Sequence, residues 1–167
     1  MALADVKIIS PGGYALPPSM MFRTEASSTQ IFPGDPVIIG GTGTNYVTVC
    51  ADAHPLLTDT YQTGLVGIAA TTGTTAAAAA DGTVEVNLAL PGIVYACKAL
   101  LASSINTDAK LLAVLNDNVY FDLAAGVYTV DVANSSAAGT GGLRIVGGDI
   151  TNGIVYFIVH AVNTYFA

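Results

Sequence analysis

Hydrophobic and polar positions alternate with a period of two wherever the chain runs far enough between turn residues to show a period. The clearest stretch is Val84-Glu85-Val86-Asn87-Leu88-Ala89-Leu90, with Val84, Val86, Leu88 and Leu90 on one face and Glu85 and Asn87 on the other. It opens after Asp81-Gly82 and closes at Pro91-Gly92, both turn pairs. Upstream, residues 6–10, 20–24, 36–39, 46–51 and 65–70 are short, rich in β-branched or aromatic residues, and bounded by Gly, Pro, Asp or Asn. Residues 93–99 follow, and the turn at Pro91-Gly92 predicts a hairpin between them and the stretch before.

The last third reads as a meander. Strands are predicted at 111–115, 119–123 and 127–132, with Asn116-Asp117-Asn118 and Ala124-Ala125-Gly126 as the intervening turns. A Ser, Ala and Gly-rich loop at 134–142 leads to a final pair, 143–146 and 154–162. Two segments do not fit easily. Thr71 to Ala80 contains five consecutive alanines, too short a tract to hold a helix unaided, and is expected to be a loop or a single helical turn. Leu100, Leu101, Ile105 and Leu112 could share a helical face, but Ser103 to Thr107 favours a turn followed by a strand. The fold expected is all-β, a small β-barrel or β-sandwich of short antiparallel strands with an extended N-terminal arm. Its organisation is an arm and first strand over 1–25, a β core over 26–99, and a meander over 100–167 that is either continuous with that core or a second subdomain.

Composition changes the picture more than the pattern does. Of 167 residues, 52% are hydrophobic and only 10% charged, where soluble domains carry about 25% charged residues. High hydrophobicity with little charge excludes intrinsic disorder. The longest apolar run, 154–162, includes His160 and falls well short of the roughly 20 residues that span a bilayer. The first ten residues lack the basic start and apolar core of a secretory signal. Five basic residues against twelve acidic ones give a net charge of −7, and Lys7, Arg23, Lys98, Lys110 and Arg144 are dispersed, so no basic stripe exists for nucleic acid. Cys50 and Cys97 are too far apart for a CxxC site; two buried thiols are expected, with a disulfide as the alternative.

Candidate chemistry is sparse. The chain has no GxSxG, HExxH, P-loop or helix-opening GxGxxG, and no enzymatic activity, cofactor or metal is expected. Asp52 and His54 could share a strand face and a cation, but no third ligand is near and a turn before Pro55 accounts for both. His160 is expected to be a partly buried, hydrogen-bonded strand residue. Asp108, Asp117 and Asp122 fit solvated turns, and Asn116-Asp117-Asn118 is a single step of a calcium-loop ladder. The glycines at 40–43 and 139–142 precede strand-like sequence rather than a helix that would strengthen an anion site.

What remains is surface. Pro11-Gly12-Gly13-Tyr14-Ala15-Leu16-Pro17-Pro18 is a proline-punctuated segment that docks at low entropic cost, and Met20, Met21 and Phe22 follow as adaptable apolar anchors. The chain ends on the apolar Tyr165-Phe166-Ala167. Tyr14, Leu16, Pro17, Pro18, Met20, Met21, Phe22, Tyr165 and Phe166 are therefore the candidate interface residues, against the plainer reading of a first strand with a loop before it.

Four further stretches carry a resemblance: Phe32-Pro33-Gly34-Asp35-Pro36-Val37, Leu65-Val66-Gly67-Ile68-Ala69-Ala70, Asp81-Gly82-Thr83-Val84-Glu85-Val86 and Pro91-Gly92-Ile93-Val94-Tyr95. Together, over residues 30–99, they resemble the head decoration (cement) proteins of tailed bacteriophages. The resemblance implies a small, all-β, non-enzymatic virion protein, made in the host cytoplasm, that clamps the outer surface of the capsid where major capsid protein subunits meet. It also implies a homotrimer. Other readings are a head fibre or tail-associated structural protein, and a small carbohydrate-binding β-sandwich. The absence of Trp counts against the last, because stacking platforms for sugars are usually led by that residue. The shortage of charge acquires a meaning in this light: outward positions filled by Thr, Ala, Asn, Ser and Tyr can be covered at modest desolvation cost.

Overall fold

A computed structural model describes residues 6–26, 29–40, 46–56, 64–73, 81–135 and 137–160. Among them, the chain is an all-β, sandwich-like assembly of two five-stranded antiparallel sheets and a two-stranded hairpin. The first sheet has the order β1 (Val6–Ser10), β7 (Val94–Lys98), β12 (Ile154–Val159), β11 (Leu143–Asp149), β8 (Asn118–Val119). The second has β2 (Ser19–Thr24), β6 (Gly82–Leu88), β5 (Leu65–Ala69), β3 (Pro36–Ile39), β4 (Val47–Val49). The hairpin joins β9 (Phe121–Ala124) and β10 (Val127–Val130) around Ala125-Gly126, both at positive φ, as tight hairpin turns require.

The alternation read from the sequence is the one that packs. In β6, Val84, Val86 and Leu88 are buried while Glu85 and Asn87 are half-exposed. The central strand β5 is buried along its whole length and serves two cores. One, inside the second sheet, gathers Phe22, Ile31, Val37, Val47, Val66, Val84 and Val86. The larger one lies under the first sheet, where Phe157 stacks on Tyr95 at 5.7 Å between ring centres and meets the edge of Phe121 at 5.6 Å. Cys50 and Cys97 are buried in this core, where the Cys97 thiol donates to the Tyr128 carbonyl.

Three sequence expectations are corrected. The strands on either side of Pro91-Gly92 do not form a hairpin: β6 pairs with β2 and β5, and β7 pairs with β1 and β12, so the turn carries the chain from one sheet to the other. Residues 111–115 are not a strand but part of helix α1 (Asp108–Val114). Thr107 caps it by accepting a hydrogen bond from the Lys110 N–H, and Asp108 sits in its first turn, where the helix dipole favours a carboxylate. Leu111, Val114 and Leu115 pack on the core at i, i+3 and i+4, leaving Leu112 exposed. The stretch 119–123 is broken at Tyr120 into β8 and β9, which belong to different sheets.

The C-terminal strands β11 and β12 share the sheet of β1 and β7, so 100–160 is continuous with the earlier core. The second sheet curls until β4 meets β2 at a parallel bridge between Arg23 and Tyr46. Asp81 clasps that seam: it accepts hydrogen bonds from the Tyr46 hydroxyl, the Ala26 N–H and Arg23, whose guanidinium lies 4.7 Å from the Tyr46 ring centre. The Tyr46 hydroxyl, helped by the Ala26 N–H and Arg23, holds the Asp81 carboxyl below its usual range.

Candidate interaction surface

The N-terminal segment is extended and sewn into both sheets, β1 at the edge of the first and β2 at the edge of the second. Residues 11–18 form the crossing between them. Its start is a tight turn in which Tyr14 N–H donates to the Pro11 carbonyl and both central residues, Gly12 and Gly13, have positive φ. Gly12 lies against the other inter-sheet crossing, so closely that a Cβ there would stand 2.6 Å from the Gly92 carbonyl carbon. The two crossings therefore brace each other backbone to backbone, and this contact fixes the segment that follows.

That segment is where apolar side chains reach solvent. Leu16 is 79% exposed, Met21 61%, Ile9 49%, Met20 48% and Tyr14 42%; Pro17 and Pro18 are half-buried. From Ile8 to Phe22 there is no charged residue, and Lys7 and Arg23 bound the stretch. Ordinary surfaces scatter single apolar residues among charges. Here five large ones fall within residues 9–21 of a charge-free run.

Phe22 is not part of this surface. It is 4% exposed and belongs to the core inside the second sheet, because it shares its strand face with buried Thr24, whereas Met21 points the other way. Met20 lies on the same side as Phe22 but at the open end of the strand, which leaves it half in solvent. Tyr165 and Phe166 lie outside the described residues, as do 41–43 and 74–80.

The candidates for chemistry are absorbed by the fold. Asp52 accepts the Ala53 and Leu123 N–H groups with one carboxylate oxygen, and His54 bridges Phe121 through its backbone, so the pair shapes a turn onto β9. His160 is half-buried with Nε2 2.8 Å from Asn118 Oδ1; burial, with the Arg144 charge, lowers its pKa below the usual value. Since Asn118 Nδ2 is spent on the Ala137 and Gly139 carbonyls, the neutral imidazole donates from Nε2. Asp117 accepts from the Ser135 hydroxyl, and Asp122 from Thr129. No group of three or more His, Cys, Asp or Glu among the described residues could hold a metal ion. Of the described tyrosines, Tyr46, Tyr95 and Tyr128 are buried, Tyr120 and Tyr156 are half-buried, and Tyr14 is exposed. No described helix is long and apolar enough to cross a membrane.

The chain matches no protein-family model and no curated protein.

The motif Phe32-Pro33-Gly34-Asp35 is a turn in which Asp35 N–H donates to the Phe32 carbonyl and the Asp35 carboxylate accepts the Phe32 N–H at 2.7 Å. Gly34 N–H then donates to the Ala69 carbonyl, docking the turn onto the end of β5. Residues that prompted the resemblance thus build the scaffold, and the exposed ridge lies outside them.

Proposed function

We propose that this protein is a non-enzymatic virion component that binds the outer surface of a phage capsid and bridges neighbouring major capsid protein subunits. The observation that carries this reading is the charge-free run from Ile8 to Phe22, held on an all-β scaffold and exposed at Ile9, Tyr14 and Leu16. Such a surface is covered by another protein more cheaply than one bearing Lys or Glu, whose charges would have to be desolvated.

Magnitudes favour bridging over one-to-one binding. With roughly 200 Å² for a large side chain, covering Ile9, Tyr14 and Leu16 removes on the order of 350 Å² from water, or about 9 kcal/mol gross at 25 cal/mol/Å². That is comparable with the roughly 4–15 kcal/mol lost on association, so a single contact is weak. Contacts to two shell subunits at once raise the effective concentration of the second and make attachment tight.

The test is cosedimentation with DNA-expanded tailed-phage heads stripped of their outer proteins, using the wild-type chain and the doubly charged variant Tyr14→Asp/Leu16→Asp. The wild type should pellet with the heads and the variant should stay in the supernatant with its β-sheet circular dichroism intact. A wild type that never pellets, or that binds a glycan array instead, overturns the reading.

A further inference from the structure

Asparagine followed by a small residue is chemically labile. The next residue's backbone nitrogen loses its proton and attacks the side-chain Cγ, the amide leaves as ammonia, and water opens the resulting succinimide to aspartate or isoaspartate. Gly, with no Cβ, hinders that approach least, and Ser little more. In this chain only Asn152 is followed by Gly and only Asn134 by Ser. Both asparagines are exposed to water.

The fold uses both followers. Gly153 has φ +64°, and a Cβ there would stand 2.8 Å from the Ala102 Cβ. Its carbonyl accepts the Ala99 N–H at 2.9 Å. Ser135 donates its hydroxyl to Asp117 at 3.0 Å. A bulkier second residue would therefore relieve the lability only at the expense of the turn.

Each asparagine is instead held by an aspartate three residues before it. Asp149 Oδ1 accepts the Asn152 N–H at 3.1 Å while its Oδ2 accepts Nδ2 at 2.7 Å. Asp131 Oδ1 accepts the Asn134 N–H at 3.3 Å while its Oδ2 accepts Nδ2 at 2.6 Å. The two clamps have the same spacing and the same bonds in unrelated turns, one closing the β11–β12 hairpin and one following β10. The Asn152 side chain, then its N–H, hold the Asp149 carboxyl below its usual range, so the acceptor there is a carboxylate.

We infer that Asn134 and Asn152 are latent deamidation sites, each guarded by the aspartate three residues before it. Attack needs Cγ and the next backbone nitrogen aligned at about 3–3.5 Å. The clamp fastens the leaving nitrogen to the carboxylate, whose charge opposes both loss of the backbone proton and the negative charge that builds on the amide oxygen. The Ser135 nitrogen is also occupied, donating to the Val132 carbonyl at 3.1 Å. Conversion at Asn152 would set a second carboxylate against Asp149 in place of a donor, and the two like charges would push the end of the hairpin apart. None of this depends on shell binding.

Peptide mapping by mass spectrometry, on the full chain aged at mildly alkaline pH, reads both sites at once. In the folded wild type each should convert at least about tenfold more slowly than in the same chain held in urea, because hydrogen bonds to a charged group must open first. Asp149→Ala should speed Asn152 by a similar factor and leave Asn134 at its wild-type rate. Asp149→Ser keeps a hydroxyl for the N–H groups of the turn but neither the charge nor the second oxygen, and it should do the same with β-sheet circular dichroism intact. Equal rates in the folded and urea-unfolded wild type, an Asn152 rate that neither variant raises, or a rise at both sites together in the folded Ser variant, the mark of general loosening, overturns the proposal.

Discussion

Phe22 and Met21 are neighbours in β2 with opposite surroundings, and truncating each tests the register of the second sheet. Phe22 is 4% exposed and packs with Ile31, Val37, Val47 and Val84; Met21 is 61% exposed. Phe22→Ala removes most of an aromatic ring from a closed core and should cost about 3–5 kcal/mol. For a domain of this size, each kcal/mol lowers the melting temperature by about 2–4 °C, which gives a fall of roughly 6–20 °C. Met21→Ala should stay within about 0.5 kcal/mol of the wild type. Urea unfolding followed by far-ultraviolet circular dichroism measures both. A one-residue slip of β2 would exchange the two faces. A near-neutral Phe22→Ala alongside a costly Met21→Ala would therefore refute the register and the surface built on it.

Two other perturbations probe the scaffold. Gly67 sits in β5 where an added Cβ would stand 2.0 Å from the Asn87 carbonyl oxygen, backbone that cannot yield cheaply; Gly67→Ala should unfold the protein or cost at least about 3 kcal/mol in urea denaturation, and a neutral result would mean that β5 and β6 are further apart. His160 takes a proton in the unfolded chain near its usual pKa of 6.5 but only at lower pH when folded, because burial and then Arg144 disfavour the cation. Between those two values the unfolded state binds more protons, so stability falls as pH drops through 6.5 and levels off below the folded pKa. His160→Gln should flatten the urea midpoint between pH 7.5 and 5, whereas an unchanged acid loss in that variant would place its source elsewhere.

The strands were legible because turn residues punctuate them: β1 and β3 have the bounds read from sequence, and β6 shows its buried face in its alternation. Partners were not legible. Pro91-Gly92 marks a turn equally well whether the next strand returns alongside or crosses to another sheet, and only long-range packing decides. Helix α1 hides in the pattern because adjacent Leu111 and Leu112 suit either period; the Thr107 cap followed by Asp108 is its local signal. The apolar segment 11–22 is legible in the composition, but composition does not assign faces and so does not separate Phe22 from Met21. The clasp of Arg23, Tyr46 and Asp81 joins residues from three distant parts of the chain and had no local signature.

Shell attachment through the ridge at Tyr14 and Leu16 is tested most directly by amide hydrogen exchange on the protein free and bound to stripped, DNA-expanded heads. Residues 9–16 should exchange markedly more slowly on the heads, while the buried strands β5 and β12 stay unchanged. Pelleted protein whose exchange at 9–16 matches that of the free chain would contradict attachment through this surface.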